Sequence, residues 1–254
     1  MPGTNAAQRV ANHFKRLNSS TLNTPMSEAL GVFFEYKPHD AIREHARKLE
    51  LLQSQIDIAV DGLKRQGFPE HLYNTQVQSA RNAFSASGLN QQWNHVVSQI
   101  TPDVKLAFDW MAFALPDQCD AMEKAAMSDL LESLKAILTD DLLQTLPAVW
   151  KELIERHINA IFEALAEQPI TGSGPVEKAV KDLATDVMVH SEELRDAPVS
   201  PEAKPLLKRV FGAVGKTVDL AVKSEKVLSS IDKLYKLAAE NWPLLKEWVQ
   251  RISN

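Results

Sequence analysis

Residues 38–67 read PHDAIREHARKLELLQSQIDIAVDGLKRQG, and the spacing of apolar side chains within them decides the fold. Ile42, Leu49, Ile56 and Leu63 recur every seven residues, and His45, Leu52 and Ala59 fill the positions between them. At 3.6 residues per turn these side chains share one side, so the pattern predicts a helix over 39–66 with a single seam along a rod of roughly 40 Å. Pro38 precedes the rod, and Gly67 stands where a left-handed residue closes a helix. A rod of this kind cannot bury its seam alone. It needs other helices against it.

Working outward, the same periodicity recurs along most of the chain. Val10, Phe14 and Leu17 predict a helix over 6–17, and Thr24-Pro25 reads as a cap followed by proline at the first helical position. Pro69 opens a segment through Leu72, Val77, Ala80 and Phe84 that stops near Gly88, and another carries Trp93, Val96 and Ile100. Thr101-Pro102 repeats the cap-plus-proline start. The residues after it, from Val104 to Phe113, are apolar on nearly every face, which suits a central, surrounded helix with Lys105 and Asp109 paired on its one wet side. Pro116, Pro147 and Ser200-Pro201 mark further starts, and Leu207, Val210, Val214, Thr217 and Ala221 form a late stripe. A further stripe carries Leu228, Ile231, Leu234 and Ala238, and a final short helix follows Trp242-Pro243. The fold class expected is all-α, a multi-helix bundle of about ten to eleven helices packed antiparallel around the long one. Two glycines and two prolines within 168–175 make the clearest loop. They divide the chain into a main helical body, 1–168, and a C-terminal helical arm or subdomain, 169–254, which could pack onto the body as one domain.

Composition narrows the class. The chain has 254 residues, 44% hydrophobic and 24% charged, with nine glycines and three tyrosines, which argues against a strand-rich architecture. A single cysteine, Cys119, leaves no internal disulfide framework and fits a reducing, cytoplasmic setting. Residues 1–20 lack the apolar core of a secretory signal, and the longest apolar run, Trp110 to Leu115, is far short of the ~20 residues that span a bilayer. The net charge of -5 is uneven: +2 over 1–100, -8 over 101–168 and +1 over 169–254, with +4 over 202–236. An acidic middle and a basic arm can dock on each other or attract separate partners. Nothing is basic enough to suggest nucleic acid.

Candidate chemistry is sparse. Gly212-Ala-Val-Gly215-Lys216-Thr217 resembles a phosphate-binding loop, but Val210 stands where the pattern needs its first glycine and a helical stripe runs through it. His39, Asp40, Glu44 and His45 cluster without the i, i+4 histidines of a helical metal site. His157 shares a face with Leu153, which offers no carboxylate, so it reads as a packed histidine. Asp140-Asp141, and Asp129 with Glu132, are acidic pairs of a kind common on helix surfaces, and the chain lacks the Glu-x-x-His of a di-iron bundle. Neither metal nor organic cofactor is expected.

The reading that follows is a non-enzymatic, all-helical protein-interaction protein: an adaptor, inhibitor, immunity-like or regulatory factor with another protein as partner. Its partner surface would draw on Asp117, Asp120, Glu123, Asp129, Glu132, Asp140 and Asp141, with Trp242 and Trp248 as aromatic anchors. Two alternatives stand beside it. One is an enzyme whose site assembles only in the fold. The other is a membrane-surface-active protein whose C-terminal arm meets anionic lipid through Lys208, Arg209 and Lys216.

Overall fold

A computed structural model describes residues 3–17, 23–34, 41–117, 119–120 and 124–221. Eleven α-helices account for most of the described residues: α1 (Ala6–Lys15), α2 (Met26–Phe33), α3 (Ala41–Arg65), α4 (Asn74–Ala83), α5 (Trp93–Gln99), α6 (Pro102–Ala114), α7 (Lys124–Leu138), α8 (Ala148–Thr171), α9 (Gly174–Val189), α10 (Ser191–Asp196) and α11 (Lys204–Ala221). Strand pairing among the described residues amounts to a two-residue antiparallel ladder, Gly3 to Asp120 and Thr4 to Cys119, and an isolated antiparallel bridge between Pro25 and Gln92. The protein is an all-α, multi-helix bundle. The expected C-terminal stripe over 228–238, with Trp242 and Trp248, lies outside the described residues, as do Glu123, Pro38 and His39.

Contacts group the chain into two units, Met1–Ala121 with Pro169–Gly172, and Met122–Gln168 with Ser173–Asn254. The chain changes unit between Ala121 and Met122 and again on either side of Pro169–Gly172, within the 168–175 stretch. That stretch is mostly helix. Pro169 is accommodated in the last turn of α8, Gly172 turns the chain at φ +76°, and α9 begins at once with Pro175 in its first turn. Gly172 thus closes one helix and Pro175 sets the first turn of the next.

In the first unit, α1 packs against α3 and α6, while α4 meets α5 and α6. The seam of α3 is buried from His45 through Leu49, Leu52, Ile56, Ala59 and Leu63, whereas Ile42, one turn earlier, is exposed. Its C-terminus closes as the sequence implies. Gly67 has φ +79°, the Gly67 N–H donates to the Lys64 carbonyl at 3.0 Å and the Phe68 N–H donates to Leu63 at 3.1 Å. These two hydrogen bonds satisfy carbonyls the helix end would otherwise orphan. Asn5 caps α1, its side chain accepting from the Gln8 N–H. The Asn5 amide also donates to the Ala112 and Leu115 carbonyls at 2.8 and 3.0 Å, so one residue closes the start of α1 and the end of α6. Stacked and edge-on rings from Phe14, Phe33, Phe84, Phe108 and Trp93 fill the centre.

The second unit has its own core, with Leu134 and Ile137 of α7, Trp150, Ile154 and Ile161 of α8, Val180 of α9, and Val210, Val214 and Val218 of α11. Helix α11 packs against α7 and α9. Its buried face is the stripe read from the sequence: Leu207, Val210, Val214 and Thr217.

Candidate interaction surface

Helix α6 differs from its neighbours in having two apolar faces. Thr101 caps it, accepting from the Val104 N–H, and Pro102 sets its first turn. Val104, Phe108, Met111 and Leu115 recur at spacings of three and four and are buried in the first unit's core. On the opposite side, Leu106, Trp110 and Phe113 recur at the same spacings. Leu106 is 68% and Phe113 91% exposed, and Trp110 is half-buried. Phe68, just past the end of α3, lies edge-on to Trp110 with ring centroids 5.3 Å apart.

The central, surrounded position expected from this helix's composition is therefore not what the fold builds. On its second apolar face Leu106 and Phe113 are exposed, while Trp110 between them packs against the edge of the core. The expected Lys105–Asp109 pair gives way to a Lys15–Asp109 pair at 3.0 Å, reaching from α1.

Scattered apolar side chains are normal on protein surfaces, but an aligned aromatic-aliphatic ridge is the form that helix-docking sites take. Exposed Asp103 and Asp117 bracket the ridge, at the N-terminal turn of α6 and three residues past its end. Neither has an ion-pair partner among the described residues.

The other sequence-derived candidates are dispersed. Asp117 lies in the first unit, and the side chain of Asp120 lies outside the described residues. Asp129 and Glu132 are exposed on α7, and Asp141 is exposed in the 3-10 turn Asp141–Thr145. Asp140 caps that turn, accepting from the Leu142 N–H at 2.9 Å, and also pairs with Arg209 of α11. One acidic partner-surface candidate and one basic lipid-contact candidate thus hold each other inside the second unit. The guanidinium of Arg209 is the main cause of an Asp140 pKa below the ordinary 3.8. Lys208 and Lys216 are exposed on α11.

The phosphate-loop lookalike is helix interior. Thr217 donates its hydroxyl to the Ala213 carbonyl at 2.9 Å and is fully buried, so no run of free N–H groups exists there to cradle phosphate.

The histidines complete the polar chemistry. His157 is buried on α8, yet its Nε2 lies 2.9 Å from Asp186 Oδ2 of α9, and Arg156 reaches the same oxygen at 2.5 Å. An ionised carboxylate only accepts, so Nε2 carries the proton. Burial is the largest cause of a lowered His157 pKa, opposed by the hydrogen bond and charge of Asp186, while the hydrogen bond from His157 holds Asp186 below the usual carboxylate value. The pair orients an imidazole as a catalytic pair would, but at 5% exposure His157 offers no face to a substrate. Its chemistry is that of a clasp between α8 and α9. No carboxylate near His157 in sequence signalled this bond, because Asp186 is 29 residues away.

His13 of α1 is buried beside the rings of Phe33 and Phe34. Desolvation is the largest cause of its fall from 6.5 to about 4, with Arg16 and Lys48 adding to it and a hydrogen bond to the Pro169 backbone opposing it. His45, on the seam of α3, is lowered mainly by burial, with Lys48 reinforcing and Glu44 opposing the shift. Arg9 is buried nearby in the first unit, and its Nε and Nη2 donate to Gln55 Oε1 at 3.1 and 2.6 Å.

Among the described residues, no group of three or more His, Cys, Asp or Glu is placed to hold a metal ion. No helix there is long and apolar enough to cross a membrane. Compared with known proteins, the chain matches no family, no curated sequence and no solved structure.

Proposed function

We infer that the protein is a non-enzymatic helical binding protein of the adaptor or inhibitor kind, and that it engages another protein through the outer face of α6. The observation that carries this reading is the exposure of Leu106 and Phe113, two turns apart, on a helix whose opposite face is core. Leaving a phenylalanine in water forgoes roughly 1.5–3 kcal/mol that burial would supply. Aromatic side chains in such positions are what interface hot spots are made of. The buried His157–Asp186 clasp and the helical Gly212–Thr217 segment weigh against the enzyme alternative at those places. The Asp140–Arg209 pair occupies one of the three cations on which the lipid alternative relied.

The test is affinity capture from the protein's own cell extract with the wild-type chain and with a Leu106→Asp/Phe113→Asp double variant. Wild type is expected to recover at least one protein stoichiometrically, and the variant, with unchanged circular dichroism, to lose it. Recovery of the same proteins by both chains would remove α6 as the docking face.

A further inference from the structure

We propose that the occupant of the α6 ridge is an amphipathic helix of another protein, with basic side chains at both ends of its apolar stripe. The proposal rests on the reading of α6 as a docking face and adds the chemistry of the partner.

Charge around the ridge separates the possible occupants. Leu106 and Phe113 are centred near Trp110, and so are Asp103 and Asp117, which stand outside them at the two ends. Asp109, on the flank, is matched by Lys15 at 3.0 Å, and Glu70, just after Phe68, by Lys64 at 2.8 Å. Among the described residues Asp103 and Asp117 have no such match. A second copy of this chain laid antiparallel on the ridge, with its Leu106 against Phe113, would bring Asp103 of one copy beside Asp117 of the other at both ends. Like charges placed opposite each other count against that pairing. An anionic lipid surface would face the same two carboxylates.

A foreign helix with apolar side chains at i, i+4 and i+7 can instead pack ridge into groove along α6. Lysine or arginine three to four residues outside that stripe would then meet Asp103 and Asp117. Lys105, on the flank, favours an acidic or neutral residue opposite the first turn. The ridge supplies affinity, and the two end charges supply orientation and partner choice.

The probes are two fluorescent, hydrocarbon-stapled peptides of about 18 residues, identical in their i, i+4, i+7 leucine stripe, one with lysine and one with glutamate at both ends. Stapling removes most of the ordering cost that would otherwise mask a weak site. Anisotropy titration of the full chain at low salt is expected to show the lysine-ended peptide binding about five-fold tighter, the scale of two exposed ion pairs. The difference should shrink at high salt. Asp103→Lys/Asp117→Lys should invert the order, and Leu106→Asp/Phe113→Asp should abolish binding of both peptides. Equal binding of the two peptides, or an order unchanged by charge reversal, would overturn the charged-end proposal while leaving the docking face standing. Failure of either peptide to bind would overturn it too, and the capture experiment with the Leu106→Asp/Phe113→Asp chain would then decide separately whether α6 docks anything. A wild-type dimer in sedimentation, or flotation on anionic liposomes, lost in that same double variant would assign the ridge to self-association or lipid and overturn the proposal.

Discussion

Asp140 and Arg209 lie 69 residues apart in the chain and form an ion pair between the turn after α7 and helix α11. The pair stands on the surface, so its removal is expected to lower Tm only slightly. Because Arg209 holds the Asp140 pKa below 3.8, the stabilisation is present above that value and lost as pH falls through the folded pKa. Thermal melts of Asp140→Asn and wild type should differ a little at pH 7 and converge in strong acid. A gap that persists there would assign the effect to the Leu142 cap instead.

His13 gives the opposite ionisation with the same direction in pH. Its neutral form is native, and its pKa of about 4 lies below the unfolded value of 6.5. The unfolded chain therefore binds the extra proton between these values, and stability falls as pH is lowered through that window. At about 1.4 kcal/mol per unit, the whole shift sets an upper bound of about 3 kcal/mol. Urea unfolding of wild type should show this loss, and His13→Gln should remove most of it. His45 and His157, also lowered, contribute the remainder in the same direction. Identical pH profiles for wild type and His13→Gln would show that His13 does not ionise in this way.

Leu49 is fully buried on the seam of α3. Leu49→Asp places a charge in that core and is expected to unfold the first unit, since burial of an unpaired carboxylate costs more than a typical domain can bear. Hydrogen exchange should then lose protection along α3 while Leu153 and Ile154, in the second unit's core, retain theirs. A fully protected α3 in a folded variant would mean that the seam is not packed within this chain.

Two glycines should respond in opposite ways to alanine. At Gly172, φ is +76°, and an added Cβ would stand 2.9 Å from Cζ and Nη1 of Arg9, so Gly172→Ala is expected to cost about 1–3 kcal/mol. At Gly212 an added Cβ meets nothing within 4 Å among the described residues, and Gly212→Ala should be neutral or stabilising by up to about 1 kcal/mol. Chemical denaturation of the two variants checks both signs. The open space at Gly212 means that no close helix packing among the described residues requires a glycine there.

What could be read in advance was whatever the chain encodes locally. The seam from His45 to Leu63, the Thr101-Pro102 start and the Gly67 closure are all matters of spacing within a turn or two. Long-range pairings leave no such local pattern: Asp186 on His157, Lys15 on Asp109, Arg209 on Asp140. Helix α6 shows the limit most clearly. Its composition reveals two apolar faces, but only the fold reveals that neighbours cover one of them. The ridge is present in the sequence as a pattern, but whether a second apolar face finds a partner within the chain is decided by the fold.

The return of Pro169–Gly172 to the first unit, with Ile170 buried in that unit's core, bears on how the chain is made. A ribosome that has released Ala121 has not yet released everything the first unit packs. Some fifty further residues must emerge before Ile170 and Gly172 can take their places, which at about 5–20 residues per second is a delay of several seconds. During that interval the nascent N-terminal helices wait with a gap in their core.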